Sequence, residues 1–361
     1  MKAVVLRDHG GPEVLQFEDV PTPVFGAEEI LVTVAATALN RADLLQRLGF
    51  YPNPFPSGPE IPGLEFAGTV AAVGERVTAW KVGDHVMGIT SGGAYAEQLV
   101  THERQAMAVP AGMSLHDAAA IPEVFITAWD ALVVQGGLTS GRWAMVHAGA
   151  SGVGTAAIQI VKAIGARIIV TCSSGKVQSC LNLGADVVVD YGSQDFVEEV
   201  QKATNGLGVD VVLDVIGGDY VERNVASLAI KGRIIQVGVM AGKPVPFNVG
   251  ALLAKRATIT GTVLRARPLE EKVAISQRFA AEMLPLFSTS QLRPVIDSRY
   301  NFADIAAAQE YMASNGNVGK IVISVAQTPR CLSRSDCCVV ALVRAGVPLA
   351  WATDLLIFVC K

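Results

Sequence analysis

The sequence predicts an α/β protein in two parts, a doubly wound parallel sheet and a smaller antiparallel β-barrel. Three observations predict it. The stretch RWAMVHAGASGVGTAAIQ runs from a short apolar strand, Trp143–Val146, through a glycine turn into a helical pattern with Val153, Ala157, Ile158, Val161 and Ile164 on one face. After it, strand and helix patterns alternate, as parallel strands joined by crossover helices require. Before it, residues 1–122 offer short β patterns parted by Gly- and Pro-rich turns. The 361 residues suit two domains, and 51% hydrophobic composition supplies a large core.

Taken in order, Ala3–Arg7, Leu15–Val20 and Ile30–Ala38 read as strands, with turns at Gly10-Gly11-Pro12 and Pro21-Thr22-Pro23. The start, MKAVVLRDHGG, reads as the first strand and not as a signal peptide, because Arg7, Asp8 and His9 end its apolar run. Asn40–Leu48 reads as a short helix. Residues 51–56, with three prolines, are irregular, since each proline lacks a donor. Leu64–Val73, the residues after Lys81–Asp84, and Tyr95–Val100 are further strands, with Gly63 and Gly68 allowing close backbone approach. Ser114–Ala120 and Phe125–Val134 are helical.

Beyond the glycine turn, strands at 167–171, 186–190, 209–214, 232–237 and Thr258–Thr262 alternate with helices near 175–183, 194–203, 219–229 and 248–255. A long helix covers Leu269–Leu286. Arg293–Arg299, a helix at 303–313 and Gly319–Val325 rejoin the first domain. The domains are therefore 1–122 with 290–326, and 123–289. Residues 327–361 break the pattern with four of the six cysteines and an apolar run cut by Arg344, Pro348 and Asp354. They read as a loosely packed appendage or as translated non-coding sequence, outside the fold, and not as a membrane span.

Lys+Arg 29 against Asp+Glu 33, with no basic tract, argues against nucleic acid as a main partner. Cys172 and Cys180 have no paired spacing and the five histidines are scattered. This is the usage of a reduced, cytoplasmic enzyme, and no metal site is expected.

Strand, glycine turn and helix make a dinucleotide cradle, here spaced Gly149-x-x-Gly152-x-Gly154. Gly149 turns the chain, Gly152 lets backbone N–H groups approach a pyrophosphate, and Gly154 lets the helix pack close. The helix N-terminus faces the phosphate charge. The second strand ends Thr171-Cys172-Ser173-Ser174-Gly175-Lys176, without the carboxylate that binds a ribose 2′-hydroxyl. Hydroxyls and an ammonium suit a 2′-phosphate, with Tyr191 adding another hydroxyl, so the cofactor reads as NADPH.

Several stretches together resemble the medium-chain dehydrogenase/reductase family, in its zinc-free quinone oxidoreductase (zeta-crystallin-like) branch. They are Asn40–Arg47, Pro62–Gly68, Ala119–Glu123, His147–Gln159, Val237-Gly238, Leu264–Arg267 and Asn317–Val322. The likeness covers about residues 1–325 and is nearest the tumour-suppressor-inducible NADPH-quinone oxidoreductase type. It implies a Rossmann domain beside a GroES-like barrel, with the ligand cleft between them. Zinc alcohol dehydrogenases carry a catalytic Cys where this chain has Asn40–Ala42, and a His where it has Leu64. The resemblance thus implies reduction of an electron-poor acceptor without Lewis-acid zinc.

It further implies that Gly149, Ser151, Gly152, Val153 and Gly154 bind the pyrophosphate, and that Ser174, Lys176 and Tyr191 hold the 2′-phosphate. The loop from Thr171 to Lys176 is one residue shorter than the family's. Thr127, Val239 and Met240 would flank the nicotinamide, and Leu264, Arg265 and Asn317 match late cofactor contacts. Asn40 and Tyr51 would face a quinone or enone substrate, Tyr51 as proton or hydrogen-bond donor and Asn40 as an orienting amide. Arg41 and Asp43 read as a local ion pair. A homodimer would form across the Thr258–Thr262 edge. Two rival readings remain: an enone or enoyl reductase on the same fold, and a weakly active NADPH-binding protein with a structural or RNA-binding role.

Overall fold

The computed structural model describes residues 1–55, 58–242 and 244–325. The expectations for the 327–361 appendage and for Pro56 lie outside the described residues.

The N-terminal part opens with a hairpin of β1 (Lys2–Leu6) and β2 (Leu15–Asp19). It continues with β3 (Glu29–Ala38), β4 (Glu65–Val73), β5 (His85–Ile89), β6 (Gln98–His102) and β7 (Met107–Ala108). The second part holds β8 (Trp143–Val146), β9 (Arg167–Cys172), β10 (Val187–Asp190), β11 (Val209–Asp214), β12 (Leu228–Gln236) and β13 (Thr258–Gly261). The last strands are β14 (Ile296–Asn301) and β15 (Lys320–Ser324). They return to the first sheet, whose order is β14-β15-β3-β4-β5-β7 with β6 on β3. Gly68 of β4 shows why this sheet needs its glycine: a Cβ there would lie 2.2 Å from the Thr33 carbonyl oxygen.

The second sheet is parallel throughout and ordered β10-β9-β8-β11-β12-β13. The chain winds outward from β8 to β10, then returns beside β8 with β11. The strand ends on either side of β8 therefore part and leave a crevice, the position where such sheets bind ligands. The Gly152–Ala163 helix buries Ala156, Ala157, Ile160 and Val161 in the main core, with Val146, Ile168, Val170 and Leu213 of the strands.

Two helices differ from expectation. The 125–134 segment is an eight-residue helix, Pro122–Trp129, that widens into a π-helical turn over Asp130–Gln135. The 269–286 segment breaks into Leu269–Glu282 and Leu284–Ser288, because Pro285 has no N–H to continue the first helix.

Candidate functional site

The glycine turn follows β8 directly. Ala148, and not a glycine, takes the left-handed conformation, with φ of 56°. Gly149 serves a different end from the one expected. Its N–H donates to the Thr171 carbonyl (2.8 Å), and a Cβ would lie 2.6 Å from Val170 Cβ, so the glycine presses the turn onto β9. Gly154 holds the helix to the turn, where a Cβ would meet the Ala148 oxygen at 2.4 Å. Ser151 caps the helix, its Oγ accepting the Gly154 N–H (3.1 Å). The N–H groups of Gly152 and Val153 open the helix and have no partner within it.

These residues line a cavity of about 370 Å³ at the ends of β8, β9, β10 and β11. Its charged walls are Arg41, Lys176 and Lys320, and among the described residues no carboxylate lines it. Lys176 Nζ reaches across to donate to the carbonyls of Asn315 and Asn317 (both 2.7 Å). Arg41 donates to the Asn315 side chain (2.5 Å) and the Met312 carbonyl (3.2 Å), so it does not form the expected pair with Asp43. Asp43 instead accepts from the Asn40 N–H (2.8 Å) and the Tyr95 hydroxyl (2.7 Å). The 315–320 segment lies on the turn, with the Gly319 N–H donating to the Ala150 carbonyl (2.8 Å). A second hollow of about 470 Å³, lined by residues such as Val197, Glu222 and Phe247, holds none of the sequence-predicted residues.

Of the residues expected at the cofactor, Ser151, Gly152, Val153, Lys176, Tyr191, Met240 and Asn317 line this cavity. Val239 packs on Gly217 and is 69% exposed. Ser174 points elsewhere: its hydroxyl donates to Asp190 Oδ2 (2.6 Å), and Ser173 takes its place on the wall. The Asp190 carboxylate, held below its ordinary pKa by Ser174 and the Gly192 N–H, stays outside the lining.

Leu264 is buried in the core and Arg265 binds the loop that carries Tyr51. The Arg265 guanidinium donates to the Ser91 carbonyl (2.7 Å) and the Tyr51 carbonyl (2.9 Å) and lies 5.0 Å from the Tyr51 ring centre. A desolvated guanidinium needs such acceptors, and the Tyr51 loop supplies them. Neither Leu264, Arg265, Thr127 nor Tyr51 lines the cavity.

A buried polar network joins the cavity to the barrel. Lys320 Nζ donates to the Leu39 carbonyl (2.6 Å), Asn40 Oδ1 (2.8 Å) and Glu65 Oε1 (2.7 Å). Asn40 Nδ2 donates to Glu65 Oε1 (2.9 Å) and the Ala38 carbonyl (3.2 Å). Both amide hydrogens are committed, so Asn40 is a fixed wall and not a proton source. Glu65 Oε2 accepts the Glu123 N–H (2.9 Å). Burial and the neighbouring Glu65 charge push the Glu123 carboxyl up to about 8. Burial, then the Glu123 charge, push Tyr51 up to about 12. Lys320 was not among the expected site residues. It sits 280 positions from Asn40, and no local pattern marks a lysine in a strand for burial.

His147 is buried, with Nε2 2.7 Å from Asn224 Oδ1 and Nδ1 3.0 Å from Thr171 Oγ1. Burial lowers its pKa, which fits a neutral prop beneath the turn. Among the described residues no three His, Cys, Asp or Glu side chains gather as metal ligands, and no helix is long and apolar enough to cross a membrane.

The free helix N–H groups, the Gly152 cradle and the cationic wall fit a phosphorylated dinucleotide. A Cβ on Gly152 would lie 2.7 Å from Lys320 Cδ and 2.9 Å from Val124 Cγ1, leaving no room for a side chain. The fold pairs a Rossmann-like parallel sheet with a GroES-like domain. Residues 26–111 match the family model described as alcohol dehydrogenase GroES-like domain, and residues 152–289 the model described as zinc-binding dehydrogenase. The chain belongs to the medium-chain dehydrogenase/reductase family.

The synaptic vesicle membrane protein VAT-1 homolog of Danio rerio is 36% identical over 203 residues, 56% of this chain and 42% of that protein. The chain spans about half the length of the curated VAT-1 homologs it matches. The crystal structure of a Pseudomonas syringae quinone oxidoreductase is 31% identical with a TM-score of 0.81, over 90% of this chain and 99% of that one. A mycobacterial protein in complex with NADPH is 30% identical (TM-score 0.81, 90% and 100% covered). The CurK enoyl reductase is 29% identical (TM-score 0.79, 90% and 98% covered).

Proposed function

We propose that this chain reduces quinones with NADPH, by direct hydride transfer and without zinc, as a member of the zeta-crystallin-like branch. One observation carries the reading: among the described residues, every charged one lining the cavity is a cation, Arg41, Lys176 or Lys320. A 2′-phosphate gains there and a free ribose hydroxyl finds no carboxylate to hold it. NADPH bound in this crevice supplies the hydride. The chain's own part is positioning. The Ser151-capped helix presents its free N–H groups to the pyrophosphate, and Lys176 with Tyr191 meets the 2′-phosphate. The Asn40–Lys320–Glu65 network fixes the wall on the barrel side.

Zinc-independence is supported by the donor set. Leu64 is an aliphatic buried side chain, and the Asn40 amide is spent on Glu65, Ala38 and Lys320. A homodimer across edge strand β13, beside the exposed Val249, Leu253 and Val263, belongs to the same reading. Sedimentation of the full chain at twice 37.9 kDa is expected, and a monomer at micromolar concentration rejects it.

Similarity to an enoyl reductase favours a second reading, reduction of an activated alkene. The deciding assay follows NADPH and NADH consumption by the full chain with 1,2-naphthoquinone and with an alkenal, alongside metal analysis. Faster turnover of the quinone with NADPH, by zinc-free protein, is expected. Preference for the alkenal moves the function to the second reading, and preference for NADH rejects the cofactor assignment.

A further inference from the structure

The helix Pro122–Trp129 buries every residue except Glu123 and Thr127. Those two are four apart, so they share one face, and it is the only face the helix opens. Glu123 is the titratable group on it. Its backbone N–H is spent on Glu65, but its carboxyl makes no hydrogen bond to any described group and is available to a ligand. Glu65, its neighbour, is fully committed: Lys320 and Asn40 hold Oε1, and the Glu123 backbone holds Oε2. Of two adjacent carboxyls, one is paired and the other is spare.

We propose that Glu123 is the acid that passes its proton to the acceptor oxygen as hydride arrives. This rests on the reductase reading and adds the proton's source. The acceptor takes the hydride's electron pair from NADPH. The Glu123 O–H bond breaks as the acceptor O–H forms, and the carboxylate regains a proton from water, so each turnover consumes one solvent proton.

The surrounding charges fit the role. Glu65 on β4 and Asp43 on the Arg41–Arg47 helix oppose ionisation of Glu123, while Lys320 on β15 and Arg265 favour it. Lys272 on the Leu269–Glu282 helix and Tyr51 feel the same carboxyl. Desolvation and Glu65 prevail, keeping the acid protonated at neutral pH, with a pKa near enough to release the proton. Tyr51 sits far above that range and keeps its own proton, which makes it a hydrogen-bond donor and not the acid.

The test compares the full chain with Glu123→Gln. Infrared difference spectra across a pH titration, taken without nucleotide, are expected to show a protonated carboxyl band in the wild type. It should fade around pH 8 and be missing from E123Q. With 1,2-naphthoquinone, kcat of the wild type should decline above that pH. In E123Q, kcat at pH 7 should be lower by about 100-fold or more, with NADPH affinity unchanged within about twofold. The wild-type spectra and pH profile decide the matter even if the variant folds poorly. No such band at pH 6, or a variant that keeps kcat within about threefold, overturns the proposal. A wild type inert toward both quinone and alkenal means instead that the reductase reading has failed, and proton delivery falls with it.

Discussion

Replacing Lys176 with alanine tests the cofactor assignment most directly. Lys176 Nζ already donates to two carbonyls, those of Asn315 and Asn317, and keeps one hydrogen for a phosphate oxygen. A hydrogen bond to a charged group contributes about 1.5–3 kcal/mol. The side chain is partly exposed, so screening places the loss near the lower end, about 1.5–2 kcal/mol. That corresponds to roughly 10–30-fold weaker NADPH binding. Loosening the 315–317 loop weakens NADPH and NADH alike, so the ratio of their affinities isolates the phosphate contact. Titration of the reduced-nicotinamide fluorescence gives both constants. The ratio should collapse in Lys176→Ala, and added salt should erode it in the wild type. An unchanged ratio refutes the reasoning and leaves Lys176 as a loop tether.

Gly154→Ala should cost about 1–3 kcal/mol in urea unfolding and abolish nucleotide binding, because its Cβ lands on the turn's carbonyl oxygen. Wild-type affinity in this variant would contradict the helix-to-turn contact. Lys320→Met strips Glu65, fully buried, of its cation and should destabilise by about 3–5 kcal/mol. A loss below about 1 kcal/mol would count against the network. Stability should also depend on pH through Glu123. Its folded pKa lies above the unfolded value of 4.5, at about 8, so the folded state binds more protons between them. This group's contribution therefore worsens as pH rises through that window and levels off above 8. Its upper limit is about 5 kcal/mol. Glu123→Gln should match the wild type near pH 5 and exceed its stability near pH 9 by a few kcal/mol. Parallel curves would contradict the assigned protonation.

The α/β class and the turn were legible because they depend on local signals. Periodicity switches at Val146, glycines sit at contact points, and strand patterns recur. Details that depend on distant partners were not legible. Nothing adjacent to Ala148 announces a left-handed residue. Glu65 and Glu123 look alike in sequence, and only Lys320 arriving from β15 tells the paired carboxyl from the spare one. Arg265 was read as a cofactor contact because the likeness covered its neighbourhood, but its guanidinium is drawn to the carbonyls of Ser91 and Tyr51. Pro285, by contrast, is a local signal for the break between Leu269–Glu282 and Leu284–Ser288.

The loop at residues 315–320 belongs by connection to the barrel, yet it roofs the glycine turn and delivers Lys320 to Asn40. The two halves are therefore not interchangeable cassettes. A chimera that imports a relative's dinucleotide module alone inherits a roof shaped for another parent. Recombination breakpoints that keep 315–320 with the turn from the same ancestor should yield working hybrids, and those that separate them should not.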